Sequence, residues 1–320
     1  MSAHAGKILA ISGGVGGAKL ALGLAHELPP EQVLICANTG DDFSHLGLRI
    51  CPDLDTVMYT LAGISNQQLG WGLADESWQF MAQLSAYGAE DWFRLGDRDV
   101  ATHVLRSHWL AGGMSLTEVT RRLCRRLGVQ PALVPMTDQV VATTVQTSEG
   151  ELSFQHYFVA QRCVPQVRAI AFSGIEQAQL QPDVQAWLAD PELRAVVICP
   201  SNPFVSVAPV LAVPGMRAAL RQAAAPVIAV SPIVGGQAIK GPAAKMMREL
   251  DLPVTALAVA RYYGEVVDGF VIDELDREQA SLIEALGMRV MVTRTVMRSQ
   301  RDKEHLARDV LSFANGLCSA

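Results

Sequence analysis

The chain has 320 residues, 50% of them hydrophobic, and a formal net charge of −6, enough apolar material for one large α/β domain or two smaller ones. The acidic balance argues against a nucleic-acid footprint, and residues 1–7 lack the basic and apolar regions of a signal peptide. With no uninterrupted apolar run long enough for a bilayer, a cytoplasmic location is expected, and six cysteines without a C-x-x-C pair read as buried reduced thiols.

In chain order, the apolar run 7–11 predicts a buried strand that enters the glycine-dense turn SGGVGGAK of residues 12–19, and an amphipathic helical stretch follows over 20–28. Gly13, Gly14, Gly16 and Gly17 let the backbone turn with positive φ and approach a ligand, while the helix start offers unpaired N–H groups. An anion is expected there, with Lys19 beside it. The spacing fits neither the dinucleotide pattern nor the P-loop. A second strand over 32–37 ends in Asn38 and a polar turn that carries Asp41 and Asp42. Asp53 and Asp55 then precede a helix. They read either as helix caps or, together with Asp41 and Asp42, as four acids that call for Mg²⁺ or that orient a hydroxyl nucleophile.

Helical spacing predicts helices over 55–61, 75–87, 97–110 and 116–127, the last opened by a capping box at Ser115 and Glu118. These form a helical subdomain, 57–128, inserted into a core of residues 1–56 and 129–320. Within it Arg94 can stack on a ring or hold a phosphate, and Trp71, Trp78 and Trp92 either line a slot for a flat ligand or belong to a core. Residues 140–147 and 151–159 predict a β-hairpin. Further strands over 195–199 and 227–230 run into loops that carry Ser201 and Asn202, and then Ser231, Gly235 and Gly236. The stretch 240–245 opens a helix with an early proline and two lysines, a candidate second anion site. Strands over 270–273 and 289–293 and a helix over 303–317 complete the chain. Buried strands alternating with helices predict an α/β fold, a mostly parallel sheet flanked by helices, with the site at the carboxyl ends of the strands. The seven histidines have no zinc-ligand spacing and no G-x-S-x-G elbow is present, which disfavours zinc and serine hydrolysis.

Taken in order, SGGVGGAKL, NTGDD, CPDLDTVMYTLAG, GWGLADESW, RLGDRDVATHVLRS, LVPMTD, CPSNPFVSVAPVLAVPGMR and SPIVGGQAIKGPAAKMM resemble the 2-phospho-L-lactate transferase family of coenzyme F-420 biosynthesis over nearly the whole chain. The resemblance implies a Mg²⁺-dependent, commonly dimeric enzyme with a Rossmann-like core and a helical lobe. Such an enzyme moves a phospho-acyl unit (2-phospholactyl, phosphoenolpyruvyl or 3-phosphoglyceryl) from a guanosine diphospho-linked donor to the terminal hydroxyl of the deazaflavin FO and releases GMP. It assigns Asp55 and Arg94 to FO. Gly13, Gly14, Gly16, Gly17 and Lys19 go to the diphosphate, and Ser201, Asn202, Ser231, Gly235 and Gly236 to the guanosine end. Asp41, Asp42 and Asp53 remain for metal binding or hydroxyl activation, with Asp53 or Asp55 orienting the nucleophile. Threonines frequent in the glycine turn of relatives are absent here, and Lys240 and Ala244 stand where serine and glycine are frequent. The alternative is a non-catalytic nucleotide-sugar-binding regulator of the same superfamily. A nicotinamide oxidoreductase requires an acid at the end of the second strand, where this chain has Asn38.

Overall fold

A computed structural model describes residues 6–318. Seven strands form one parallel sheet: β1 (Lys7–Ser12), β2 (Val33–Ala37), β3 (Ala132–Pro135), β4 (Leu193–Ile198), β5 (Val227–Val230), β6 (Gly269–Asp273) and β7 (Arg289–Thr293). Their spatial order is β7-β6-β5-β4-β1-β2-β3. This is the dinucleotide-fold order extended by one strand. The chain leaves β1 toward β2 and β3 on one side, and β4 toward β5, β6 and β7 on the other. The reversal lies between β1 and β4, so the loops after these two strands diverge and leave a crevice.

Strand periodicity explains why β1 is apolar throughout. Leu9 and Ile11 face one core with Val196 and Ile198, whereas Ile8 and Ala10 face a second core with Ala18, Leu20 and Val197. Both faces are covered, so every position needs an apolar side chain. Helix α1 (Gly14–Glu27) lies in the second layer against the C-terminal helix Gln300–Cys318. The close approach needs Gly23, because a Cβ there would collide with the Lys303 carbonyl.

Between β2 and β3 come α2 (Pro52–Leu61), α3 (Gln79–Ala86), α4 (Asp97–Ala111) and α5 (Leu116–Arg126). The capping box forms as expected: Glu118 N donates to Ser115 Oγ at 3.2 Å and Ser115 N to Glu118 Oε2 at 2.7 Å. The expected hairpin forms, but its second strand stops at Ser153 instead of 159 and a third strand joins it. Ala142–Thr147 pairs with Gly150–Ser153 on one side and with Val167–Ser173 on the other, giving three strands, and the chain leaves the sheet at His156–Ala160 in a π-helical turn. There Phe154 and Phe158 stack with ring centroids 5.5 Å apart, a contact that the four-residue spacing of a helix allows and an extended strand does not. The six cysteines are free thiols; four are buried, but Cys163 is half-buried and Cys318 is exposed. No single helix among the described residues is long and apolar enough to cross a membrane.

Candidate active site

A cleft of about 740 Å³ lies over the carboxyl ends of β1 and β4. Its floor is the glycine turn. Only Gly14 of the four glycines has a positive φ, at 61°; Gly13 is extended, and Gly16 and Gly17 belong to the first turn of α1, which begins earlier than the amphipathic pattern predicts. The other glycines are required by close approach. A Cβ on Gly13 would lie 2.6 Å from Asp53 Oδ2 and 2.6 Å from Ser206 Cβ. One on Gly16 would collide with the Pro200 carbonyl, and one on Gly17 would lie 2.6 Å from Ser12 Oγ. The turn is therefore locked to the loop after β4, and Gly13 N donates to Ser201 Oγ at 3.2 Å. Gly13, Gly14, Gly16 and Lys19 line the cleft, and Gly17 lies behind them.

Two of the four acids reach the cleft, Asp41 and Asp53. Asp53 caps no helix: Pro52 opens α2 after Cys51. Its carboxylate accepts instead from Asn38 Nδ2 at 2.9 Å. Burial raises its pKa, and the polar groups of Asn38, Gly14 and Ser206 around it oppose the rise. Burial also lifts Asp41 well above the usual carboxylate range, and the charge of Asp53 lifts it further. Asp41 Oδ1 is buried and has no hydrogen-bond partner among the described residues. Two buried carboxylates that repel each other, one with an unpaired oxygen, are a donor set that would suit a hard, oxygen-ligated cation such as Mg²⁺. Asp42 lies off the cleft with Arg49 Nη2 at 3.2 Å, and burial pushes its carboxyl to about 7. Among the described residues no set of three or more His, Cys, Asp or Glu side chains is arranged to hold a metal by itself.

One wall of the cleft is aromatic. Trp71, Trp92, Phe93, Phe154 and Phe158 line it together with Arg94, whose guanidinium carbon lies 4.3 Å from the ring centroid of Trp78. Trp78 thus backs the arginine rather than facing the cleft. Ser201, Asn202 and Ser231 also line the cleft, while Gly235 and Gly236 lie outside its lining, exposed, with φ of 56° and 74°. Ser231 Oγ bonds within its own loop, donating to Ile233 O at 2.9 Å and accepting from Ile233 N at 3.1 Å. Asn202 Oδ1 accepts from Phe204 N at 3.0 Å. These side chains shape the loop ends.

The model of the 2-phospho-L-lactate transferase CofD family matches residues 8–306. The chain belongs to the CofD family. It is 40% identical over 314 residues to a phosphoenolpyruvate transferase of Streptomyces griseus, covering 96% of this chain and 98% of the relative. It is also 37% identical over 312 residues to a 2-phospho-L-lactate transferase of Methanosarcina acetivorans, covering 97% of this chain and 100% of the relative. A solved UPF0052-family protein from Bacillus halodurans superposes with a TM-score of 0.64 at 12% identity over 96% of this chain and 98% of that one, a likeness of fold.

In this CofD-family chain Asp55 lies behind the cleft lining. It forms a two-pronged ion pair with Arg106 on α4, with Arg106 Nη1 3.0 Å from Asp55 Oδ2 and Nη2 against Oδ1. His103 Nδ1 is 3.8 Å away, and its Nε2 is 3.3 Å from Asp99, which accepts from Tyr59 Oη at 2.6 Å. This buried network joins α2 to α4. Sequence reasoning missed Arg106, Ser206, Phe154 and Phe158. Arg106 lies 51 residues from Asp55, and no local pattern reports a partner at that distance.

Proposed function

We propose that this CofD-family transferase moves a phospho-acyl group from a guanosine diphospho-linked donor to the terminal hydroxyl of FO in coenzyme F-420 biosynthesis. The observation that carries the reading is that a single cleft is lined by the Asp41 and Asp53 carboxylates, by the glycine turn with Lys19, and by a group of aromatic rings with Arg94. A diphosphate suits the first surface: backbone N–H groups at the start of a 14-residue helix and a lysine offer positive charge. A flat ring system suits the second, where aromatic faces and a guanidinium plane give stacking area.

The hydroxyl oxygen of FO attacks the phosphorus of the phospho-acid, the bond from that phosphorus to the GMP phosphate oxygen breaks, and a phosphodiester forms. Asp53, held by the hydrogen bond from Asn38, orients the hydroxyl and accepts its proton. Asp41 would hold Mg²⁺, which supplies positive charge against the diphosphate as charge shifts to the leaving GMP. The protein's part is mainly alignment and charge neutralisation, the terms that dominate phosphoryl transfer. Asp55 positions α2 through Arg106, and Asp42 is paired with Arg49.

The test is incubation of the purified protein with FO, Mg²⁺ and the phosphoenolpyruvyl, 2-phospholactyl or 3-phosphoglyceryl donor in turn. A product with the mass of the FO phosphodiester, formed together with GMP, supports the reading. Tight guanine-nucleotide binding without product from any donor favours the non-catalytic regulator.

A further inference from the structure

We propose that a recess between Lys19 and Lys240 receives the carboxylate of the donor's phospho-acid. The inference rests on the donor named above and adds how its acid end is recognised.

The recess, about 20 Å³, opens beside the main cleft and shares Lys19, Lys240, Thr56 and Trp71 with its lining; Thr60 and Asn66 form its far side. Its volume suits a group of a few atoms. Its wall combines two ammonium groups with hydroxyl and amide side chains, the chemistry that recognises a carboxylate.

The two lysines come from distant parts of the chain. Lys19 is in α1, with Nζ donating to Met297 O at 2.8 Å. Lys240 lies in the loop before the seven-residue helix Ala243–Glu249, and its Nζ rests against Gly70, where an added Cβ would collide with it. Among the described residues no carboxylate pairs with Lys19 or Lys240. Burial lowers the pKa of Lys19, and the nearby charges of Lys240 and Lys303 lower it further. An anion between Lys19 and Lys240 relieves that repulsion. Lys245, in the helix that follows, is engaged elsewhere, donating to Glu249 Oε1 at 2.5 Å and to Pro165 O at 3.2 Å.

Position agrees with chemistry. Thr56 follows Asp53 by three residues on α2, so the two share a helix face and the recess lies about one helical turn from the carboxylate on the cleft floor. In 2-phospholactate and phosphoenolpyruvate the carboxylate is attached to the carbon that bears the phosphate oxygen. With the phosphorus at Asp53, the carboxylate falls toward the recess. In 3-phosphoglycerate it sits one carbon further away.

The test compares three ligands by titration calorimetry on the wild type and on Lys240→Ala: GMP, guanosine diphospho-lactate, and the guanosine diphospho-ethyl ester, which has no carboxylate. The wild type should bind the lactyl diester at least about tenfold more tightly than the ethyl diester, as expected for a charge-assisted hydrogen bond. Lys240→Ala should remove that preference and leave GMP and the ethyl diester unchanged, and Lys240→Arg should restore part of it. Equal binding of the two diesters by the wild type, or equal weakening of both by Lys240→Ala, overturns the recess while leaving the nucleotide-donor reading intact. Failure of all three ligands to bind overturns both.

Discussion

Asn38 Nδ2 donates to Asp53 Oδ2 at 2.9 Å and to Val205 O at 3.1 Å, while its own Oδ1 accepts from Gly40 N at 2.9 Å. One buried amide thus ties the end of β2 to the first turn of α2, to the segment after β4 and to the turn that carries Asp41. Asn38→Ala removes these bonds and frees the Asp53 carboxylate. We expect a fall in stability of about 1–3 kcal/mol from unpaired buried groups, read by urea titration, and a larger loss in kcat than in KM for FO.

Removing Asp55 should act mainly on the fold. Its partner Arg106 is 1% exposed, and a buried guanidinium without its carboxylate costs about 3–5 kcal/mol. Asp55→Ala should therefore lower the melting temperature by about 10 °C. Adding Arg106→Met should recover part of that loss, because the unpaired charge goes with it. A normal melting temperature in Asp55→Ala would mean that the pair does not hold α2 to α4.

Arg94 is exposed and stacked on Trp78. With FO stacked against this guanidinium, as proposed, Arg94→Ala should raise KM for FO about tenfold and leave that of the donor alone, as expected for a stacked and charged contact. Arg94→Lys should recover little, because an ammonium has no planar face. An equal change in both KM values would place Arg94 elsewhere in the reaction.

Asp97 carries a pH-dependent contact. Its carboxylate accepts from Ser77 Oγ at 2.6 Å and from the N–H groups of Gln79 and Phe80 at 3.1 and 2.9 Å, so it caps α3 from outside, where Trp78 at the N-cap position offers no acceptor. The hydrogen bond from Ser77, then that from Phe80, lowers its pKa. For a carboxylate depressed on folding, the folded state binds fewer protons. The stabilisation is complete above the unfolded value, near about 4, and is lost as pH falls through the lower folded value. Amide exchange at Gln79 and Phe80 should be faster in Asp97→Ala than in the wild type at pH 7, with the difference closing in acid.

The sequence shows most of the frame because buried parallel strands are apolar on both faces. Runs such as 7–11 and 195–199 stand out in any reading, and the resemblance of ordered motifs carries the family. The edge strand Ala132–Pro135 escapes, being four residues long and ending in proline. At the site, the glycine turn is legible as a close-approach element. What each glycine approaches is not, since Pro200, Ser201 and Ser206 arrive from the loop after β4. The four acids look equivalent in sequence. The fold divides them, placing Asp41 and Asp53 in the cleft, Asp42 on Arg49, which the short hairpin Phe43–His45 with Leu48–Ile50 turns back toward it, and Asp55 on Arg106, 51 residues away.

The most direct measurement is turnover of Asp53→Asn with FO, Mg²⁺ and the guanylated donor that the wild type uses best, alongside circular dichroism of the same preparation. The fold should be unchanged and kcat should fall by about 10²–10⁴, the contribution of a positioned general base, with donor binding largely kept. Near-normal turnover in that variant would contradict the assignment of the Asp41–Asp53 floor as the place where the hydroxyl is oriented and deprotonated.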